Sequence, residues 1–148
     1  MKKDAEERRV VGELGKRMNA MARKDPRYRA LFDTLLAAGG VAVAAVEEPD
    51  LDRLLERGYL QSGRGAGRLR GRPISCHENA ARCWMKNPDS TVLVTGWALS
   101  KDGLWRQHSW VKADGRIYET TLSRVAYFGF DLTPDEAQRF YENNVLHL

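Results

Sequence analysis

At 148 residues the chain fits one domain with a core of ordinary size and leaves little room for a second. Hydrophobic residues make up 43% and charged residues 30%, and no apolar run approaches a membrane span, so a soluble globular chain with no membrane partner is expected. The net charge of +4 is mildly basic, short of the asymmetry that marks a dedicated nucleic-acid binder.

From Lys2 to about Arg23, charged residues alternate with Val10, Val11, Leu14, Met18 and Met21 at helical spacing, which predicts an amphipathic helix. The opening Met1-Lys2-Lys3-Asp4-Ala5-Glu6-Glu7-Arg8-Arg9 has no apolar core behind it of the signal-peptide kind, and a cytoplasmic location is expected. Asp25-Pro26 breaks the first helix, and a second from Tyr28 to Ala38 is closed by Gly39-Gly40. Val41 to Val46 is short and apolar, open between strand and helix. A third helix runs from Leu51 to Arg57 and ends at Gly58, after which Tyr59-Leu60 should pack back on the core. Residues 1–60 therefore read as a helical subdomain or lid without an ionisable cluster of its own.

Arg64, Arg68, Arg70 and Arg72 crowd into the glycine-rich segment from Gln61 to Pro73. Two readings stay open: a flexible basic linker, or a loop that holds an acidic or phosphate-bearing partner. It is not a phosphate loop, because the lysine and Ser/Thr that should follow the glycines are missing.

The helix that follows organises the rest. Ser75 and Glu78 have the spacing of a capping box, which puts Cys76 at the first helical position. Free backbone N–H groups and the positive end of the helix dipole gather there, and both favour thiolate over thiol. Asn87-Pro88 stops the helix after about three turns. Cys83 shares an apolar stripe with Ala80 and Trp84 and reads as structural. The two cysteines, about 10 Å apart by helical rise, cannot bridge each other and are expected as thiols.

Downstream the period changes from about 3.6 to 2, with Asp-Gly pairs at Asp102-Gly103 and Asp114-Gly115. Three antiparallel strands are predicted: Thr91 to Leu99, Leu104 to Lys112 and Arg116 to Leu122. If both loops have two residues, His108 stands opposite Trp97 on one side and Thr121 on the other. Glu119 is then its diagonal neighbour at about 7 Å, within reach of a hydrogen bond. Trp97 would cover the imidazole, and Leu93, Leu99, Trp110 and Ile117 would share its face, making that the buried side that receives the Cys76 helix. From Thr120 to Phe130 the chain should leave the sheet and turn at Gly129. Thr133-Pro134-Asp135-Glu136 opens a last, structural helix to about Asn143, and His147 should be exposed and idle. Arg106 and Arg124 read as solvated.

The fold class is thus α+β: a helical N-terminal part, a central helix carrying Cys76 on an antiparallel meander, and a C-terminal helix. A cysteine at a helix start, then a histidine and a carboxylate on successive strands, is an arrangement by which thiol hydrolases make and break acyl-enzyme bonds. The order Cys76, His108, Glu119 resembles the papain-like superfamily in its broad sense, with its transglutaminase-like, cell-wall-amidase-like and arylamine-acetyltransferase-like branches. The resemblance covers Ser75 to about Thr121 and implies that residues 61–148 form a papain-like catalytic core. It also implies that Cys76 is the nucleophile, His108 the base and Glu119 the group that orients it, acting on a peptide, isopeptide or glutamine amide through a thioester. Gln61, Asn79, Gln107 and Trp97 are the oxyanion or substrate candidates, with the Cys76 N–H as a first donor. No cofactor is called for. A zinc site from Cys76, His77, Cys83 and His108 is disfavoured, because adjacent helical residues point roughly 100° apart and no recognised spacing results. Two rivals remain: a nucleic-acid-binding domain that stacks bases on Trp97, Trp105 or Trp110, and a non-catalytic interaction module of effector or phage type. Oligomeric state is not legible.

Overall fold

The computed structural model describes residues 2–148 and shows an α+β fold. Met1, the first residue of the opening read above, lies outside the described residues. Helices α1 (Lys2–Lys24) and α2 (Pro26–Ala38) pack on each other, α3 (Leu51–Arg57) follows, α4 (Cys76–Lys86) bears the cysteine, and α5 (Pro134–Tyr141) runs into a π-helical turn at Glu142–Leu146. The α1–α2 break is made as expected: Asp25 caps α2 by accepting from the Arg27 N–H at 3.1 Å, with Pro26 at its first turn.

The strands are β1 (Ala42–Val43), β2 (Tyr59–Ser62), β3 (Gly67–Arg68), β4 (Val92–Leu99), β5 (Leu104–Ala113), β6 (Arg116–Glu119) and β7 (Ala126–Asp131). They form one sheet ordered β2-β7-β4-β5-β6-β3, with β1 parallel to β5. The β4-β5-β6 meander is as predicted. Two expectations are corrected. The stretch after Thr120 returns to the sheet as β7 between β2 and β4, and Gly129 lies within that strand opposite Gly96 rather than at a turn. The basic segment is not a free linker, since it begins in β2 and contains β3, which sit at opposite ends of the strand order. Only four residues join them, so the sheet must curl.

The second hairpin has the predicted two-residue loop, with Asp114 and Gly115 both at positive φ and Ala113 paired with Arg116. The first does not. Its loop has three residues ending in Gly103 at φ +87, closed by hydrogen bonds from Gly103 N to Ser100 O and from Ser100 N to Leu104 O. This one-residue difference places Gly96, not Trp97, opposite His108. Because successive side chains alternate faces, every β4 residue moves to the other side relative to β5.

Two clusters result. Leu93, Trp97, Leu99, Val111, Phe128 and Phe130 share one face and join Leu31, Phe32, Leu35, Leu54, Ala80 and Trp84 of the helices in the main core. Val94, Ala98, Trp110, Ile117 and Tyr127 form a smaller cluster on the other face. His108 and Glu119 fall on that second face by alternation with Trp110 and Ile117. The expectation that Leu93 and Leu99 share a face with Trp110 and Ile117 is therefore corrected, as is the idea that the histidine face receives the cysteine helix: Ala80 and Trp84 of α4 pack on the opposite one. No helix among the described residues is long and apolar enough to cross a membrane.

Candidate active site

Cys76 and His108 start from opposite faces of the sheet and meet at its edge. On the side away from β4, β5 pairs with β1 only at Leu104 and Trp105 and with β6 only from Val111 onward. The backbone from Arg106 to Trp110 is left without a strand there, and the start of α4 occupies the gap. His77 Nδ1 lies 2.6 Å from Ser109 Oγ, which in turn lies 2.8 Å from Thr95 Oγ1. The Ser109 backbone N–H lies on the Cys76 side of the strand and favours its thiolate.

Ser75 starts the helix at the predicted residue, but the capping box does not form. Its hydroxyl makes no cap hydrogen bond, and Glu78 instead pairs with Arg82 one turn on at 2.9 Å. The N–H groups of the first turn thus keep no side-chain acceptor, which leaves the helix end more electropositive around the sulfur.

His108 is 1% exposed, held between Trp110, stacked with ring centroids 5.9 Å apart, and Tyr127 at 6.2 Å. Trp97, expected to cover the ring, is on the other face and donates its indole N–H to Glu48 Oε1 at 2.9 Å. The space beside the ring exists because Gly96 and Gly129 face each other: a Cβ on Gly129 would lie 2.7 Å from Trp110 Cη2. His108 Nε2 is 2.7 Å from Glu119 Oε1. Glu119 also accepts from Tyr127 Oη at 2.8 Å, from the Thr121 N–H at 2.9 Å and from Thr121 Oγ1 at 3.0 Å.

With the carboxylate saturated by donors, Nε2 of His108 carries a proton and donates it. Nδ1 is then the basic nitrogen, and it is buried without a hydrogen-bond partner on the protein. The Cys76 sulfur is near enough that each group sets the other's titration. Burial pushes the Cys76 thiol up, but the imidazole, the Ser109 N–H and the Arg124 charge outweigh it and leave the thiol below its ordinary value. Burial likewise disfavours the imidazolium, yet the sulfur and Glu119 together raise His108 above its ordinary value. Burial opposes ionisation of Glu119 as well, and its donors, His108 first, still hold it down at about 2.

Among the remaining candidates, Gln107 lines the same cleft, but its amide donates to the Glu47 carbonyl at 2.8 Å. Asn79 is fully engaged with the backbone of Arg72, accepting its N–H and donating to its carbonyl, so it anchors the basic segment instead of facing the sulfur. Gln61 turns to the carbonyl of Gly115, at the far hairpin. Of the basic residues, Arg68 ties the chain after β6 through Ser123 and Thr121. Arg70 and Arg72 line a separate groove of about 1110 Å³ with Arg82 and Lys86, while Arg64 lies by the second hairpin. Arg106 is paired with Asp102 at 2.7 Å. Arg124 is not solvated: its side chain is 12% exposed, it donates to Ser100 Oγ, and its Nε lies 3.9 Å from Glu119. Burial pushes His77 below its ordinary value, so it is a neutral partner of Ser109, and no group of three metal-ligating side chains is found among the described residues.

Sequence reasoning missed Tyr127, Trp110 and Arg124 as parts of this site. Tyr127 and Arg124 fall in the stretch read as leaving the sheet, and Trp110 was assigned to the face but not to the ring. Comparison with family models, with curated proteins and with solved structures finds no match. The geometry offers a thiol, an imidazole whose Nε2 is committed to a buried carboxylate, and a cleft of about 670 Å³ beside them.

Proposed function

We propose that the protein is a cysteine-dependent hydrolase or acyltransferase acting on an amide through a thioester, with Cys76 as nucleophile, His108 as base and Glu119 as the residue that holds His108. The observation that carries this reading is the buried, unpartnered Nδ1 of His108 beside the Cys76 cleft, with Nε2 committed to Glu119. A buried polar nitrogen without a partner costs free energy unless a reacting group uses it.

In this scheme the thiolate attacks the carbonyl carbon, and the oxyanion is received by the open N–H groups at the start of α4. The imidazolium gives its proton to the leaving amine as the C–N bond breaks, leaving a thioester and a neutral ring. His108 then takes a proton from water, giving hydrolysis or deamidation, or from an amine, giving acyl transfer, and the thiolate is released. The order of these residues and their helix-and-meander setting are what the papain-like resemblance implies. A reactive thiol suits a reducing compartment, and a cytoplasmic protein remains our reading. The nucleic-acid reading loses its platform, since Trp97, Trp105 and Trp110 are at most 2% exposed and cannot stack on bases.

Alkylation by iodoacetamide across pH, read by mass spectrometry at Cys76, tests the proposal. The inflection should lie well below that of an ordinary thiol at about 8.5 and move up in His108→Ala. An ordinary inflection that His108→Ala leaves in place would refute it.

A further inference from the structure

We propose that the substrate is anionic, an acidic peptide segment drawn across the Cys76 cleft by a ring of fixed cations. This rests on the thiol chemistry above and adds the substrate class. The lining of the cleft includes Arg68, Lys101, Arg106 and Arg124, against Asp102 as the one acid. Asp102 is already neutralised by Arg106. Cys76 and His108 add no net charge either as thiol and imidazole or as thiolate and imidazolium. Glu119, buried behind the ring, faces Arg124 at 3.9 Å, which leaves Arg68 and Lys101 as the cations of this cleft with no acidic partner among the described residues.

Three of these cations are held in place before any ligand arrives. Arg68 is fixed by Ser123 and the Thr121 carbonyl, Arg106 by Asp102, and Arg124 by Ser100 and Thr121. A preorganised positive cleft focuses its field on an incoming anion. The opening beside His77 on the other side of α4 has no such bias, since Glu48, Asp50 and Glu136 offset Arg53 and Arg139 there.

The lips favour a peptide over a nucleic acid. Ile74 is 97% exposed and Leu122 71% exposed, and both line the cleft. Ile74 is held at φ +66, a conformation a β-branched residue rarely adopts, so its side chain is displayed at a conformational cost. Aliphatic lips grip an apolar side chain next to the attacked amide. The segment from Leu69 to Pro73 lines the larger groove with Arg82 and Lys86, and the residues that bracket it, Arg68 and Ile74, line this cleft, so flanking acidic residues would find cations on both sides of Ile74.

The test compares alkylation of Cys76 by iodoacetate and by iodoacetamide at one pH. The rate ratio of the anionic to the neutral reagent should exceed that of glutathione by at least about tenfold, and fall toward it in 0.5 M salt. It should fall likewise in K101Q, whose side chain is exposed, and in the K101Q/R106Q pair. In parallel, a fluorescently labelled Glu/Leu-rich peptide should bind C76A more tightly than its Lys/Leu counterpart and than oligo-dT. A glutathione-like ratio together with a low iodoacetamide inflection overturns the anionic substrate and leaves the thiol reading intact. An ordinary iodoacetamide inflection overturns both, and preference for oligo-dT overturns the peptide in favour of a nucleic acid.

Discussion

Glu119→Gln is the substitution that asks most of this site. The four donors on Glu119 leave an amide no comfortable orientation: its single oxygen can serve either the His108 and Tyr127 side or the Thr121 side. If the oxygen stays with the Thr121 N–H, the amide NH₂ meets Nε2, and His108 must move its proton to Nδ1, which removes the base that the proposed mechanism requires. The rate should therefore fall, though less than in Cys76→Ala or His108→Ala, because the ring is kept and can return to the active tautomer. Stability supplies the second reading. Glu119 falls from its ordinary 4.5 to about 2 in the fold. At ~1.4 kcal/mol per pH unit this is worth up to about 3 kcal/mol, for a side chain that is 1% exposed and so little screened. Its folded value is the lower one, so the contribution is present above about 4.5 and is lost as pH falls toward 2. The His108 side has the opposite sign: raised in the fold, it stabilises fully below its ordinary 6.5 and fades as pH rises through the raised value. Urea unfolding of wild type and variant should thus show the largest gap near pH 5 to 6, narrowing by pH 3. A gap that stays constant between pH 6 and pH 3 would refute the assignment of that charge pair.

Other consequences are as direct. In Gly96→Ala the new Cβ would lie 2.2 Å from the Phe128 carbonyl oxygen, a backbone atom that cannot step aside, so calorimetry should show a fall in Tm corresponding to at least about 1–3 kcal/mol. Thr133→Ala removes one half of a formed capping box, in which Thr133 Oγ1 accepts from Glu136 N and Glu136 returns to Thr133 N, and should cost about 1 kcal/mol in urea. Turnover should follow a bell in pH, rising at the lowered thiol value and falling as His108 loses its proton above its ordinary value, whereas alkylation of Cys76 should rise at the lowered thiol value and stay high; alkylation that rises only near pH 8.5 would contradict the coupling of the two groups. Replacing both members of the pair, H108L/E119M, should return the thiol to ordinary reactivity and still cost at least about 1–3 kcal/mol in urea, because Tyr127 Oη and Thr121 lose the buried acceptor they share.

The parts legible in the sequence were those governed by local rules. The helix from Leu51 to Arg57, the break at Asp25-Pro26 and the capping box at Thr133 follow from neighbours within four residues, and all three stand. The His108–Glu119 bond was legible too, because the second hairpin has the two-residue loop that Asp-Gly implies. The first hairpin also carries Asp-Gly, but Ser100 and Leu104 close it around three residues, and nothing within the strands reveals that extra residue. Trp97 was lost to the site for that reason alone. Asn79 and Gln61 were misplaced for another: their partners, Arg72 and Gly115, are set by how the basic segment lies against the helix and the curled sheet. β7 was missed because Gly129 reads as a breaker, whereas here it leaves room for Trp110.

A helix packed on one face of a sheet cannot ordinarily bring a thiol to an imidazole on the other. The only way round is an edge, and the edge of β5 is open because β6 stops at Glu119. What stops it is the carboxylate itself: Thr121, which would continue the ladder opposite His108, turns its N–H and hydroxyl back to Glu119 Oε2. The other oxygen of the same carboxylate fixes the His108 tautomer. Strand termination, access for Cys76 and orientation of the His108 ring therefore depend on one buried side chain, so a change at Glu119 acts on the shape of the sheet edge as well as on its charge.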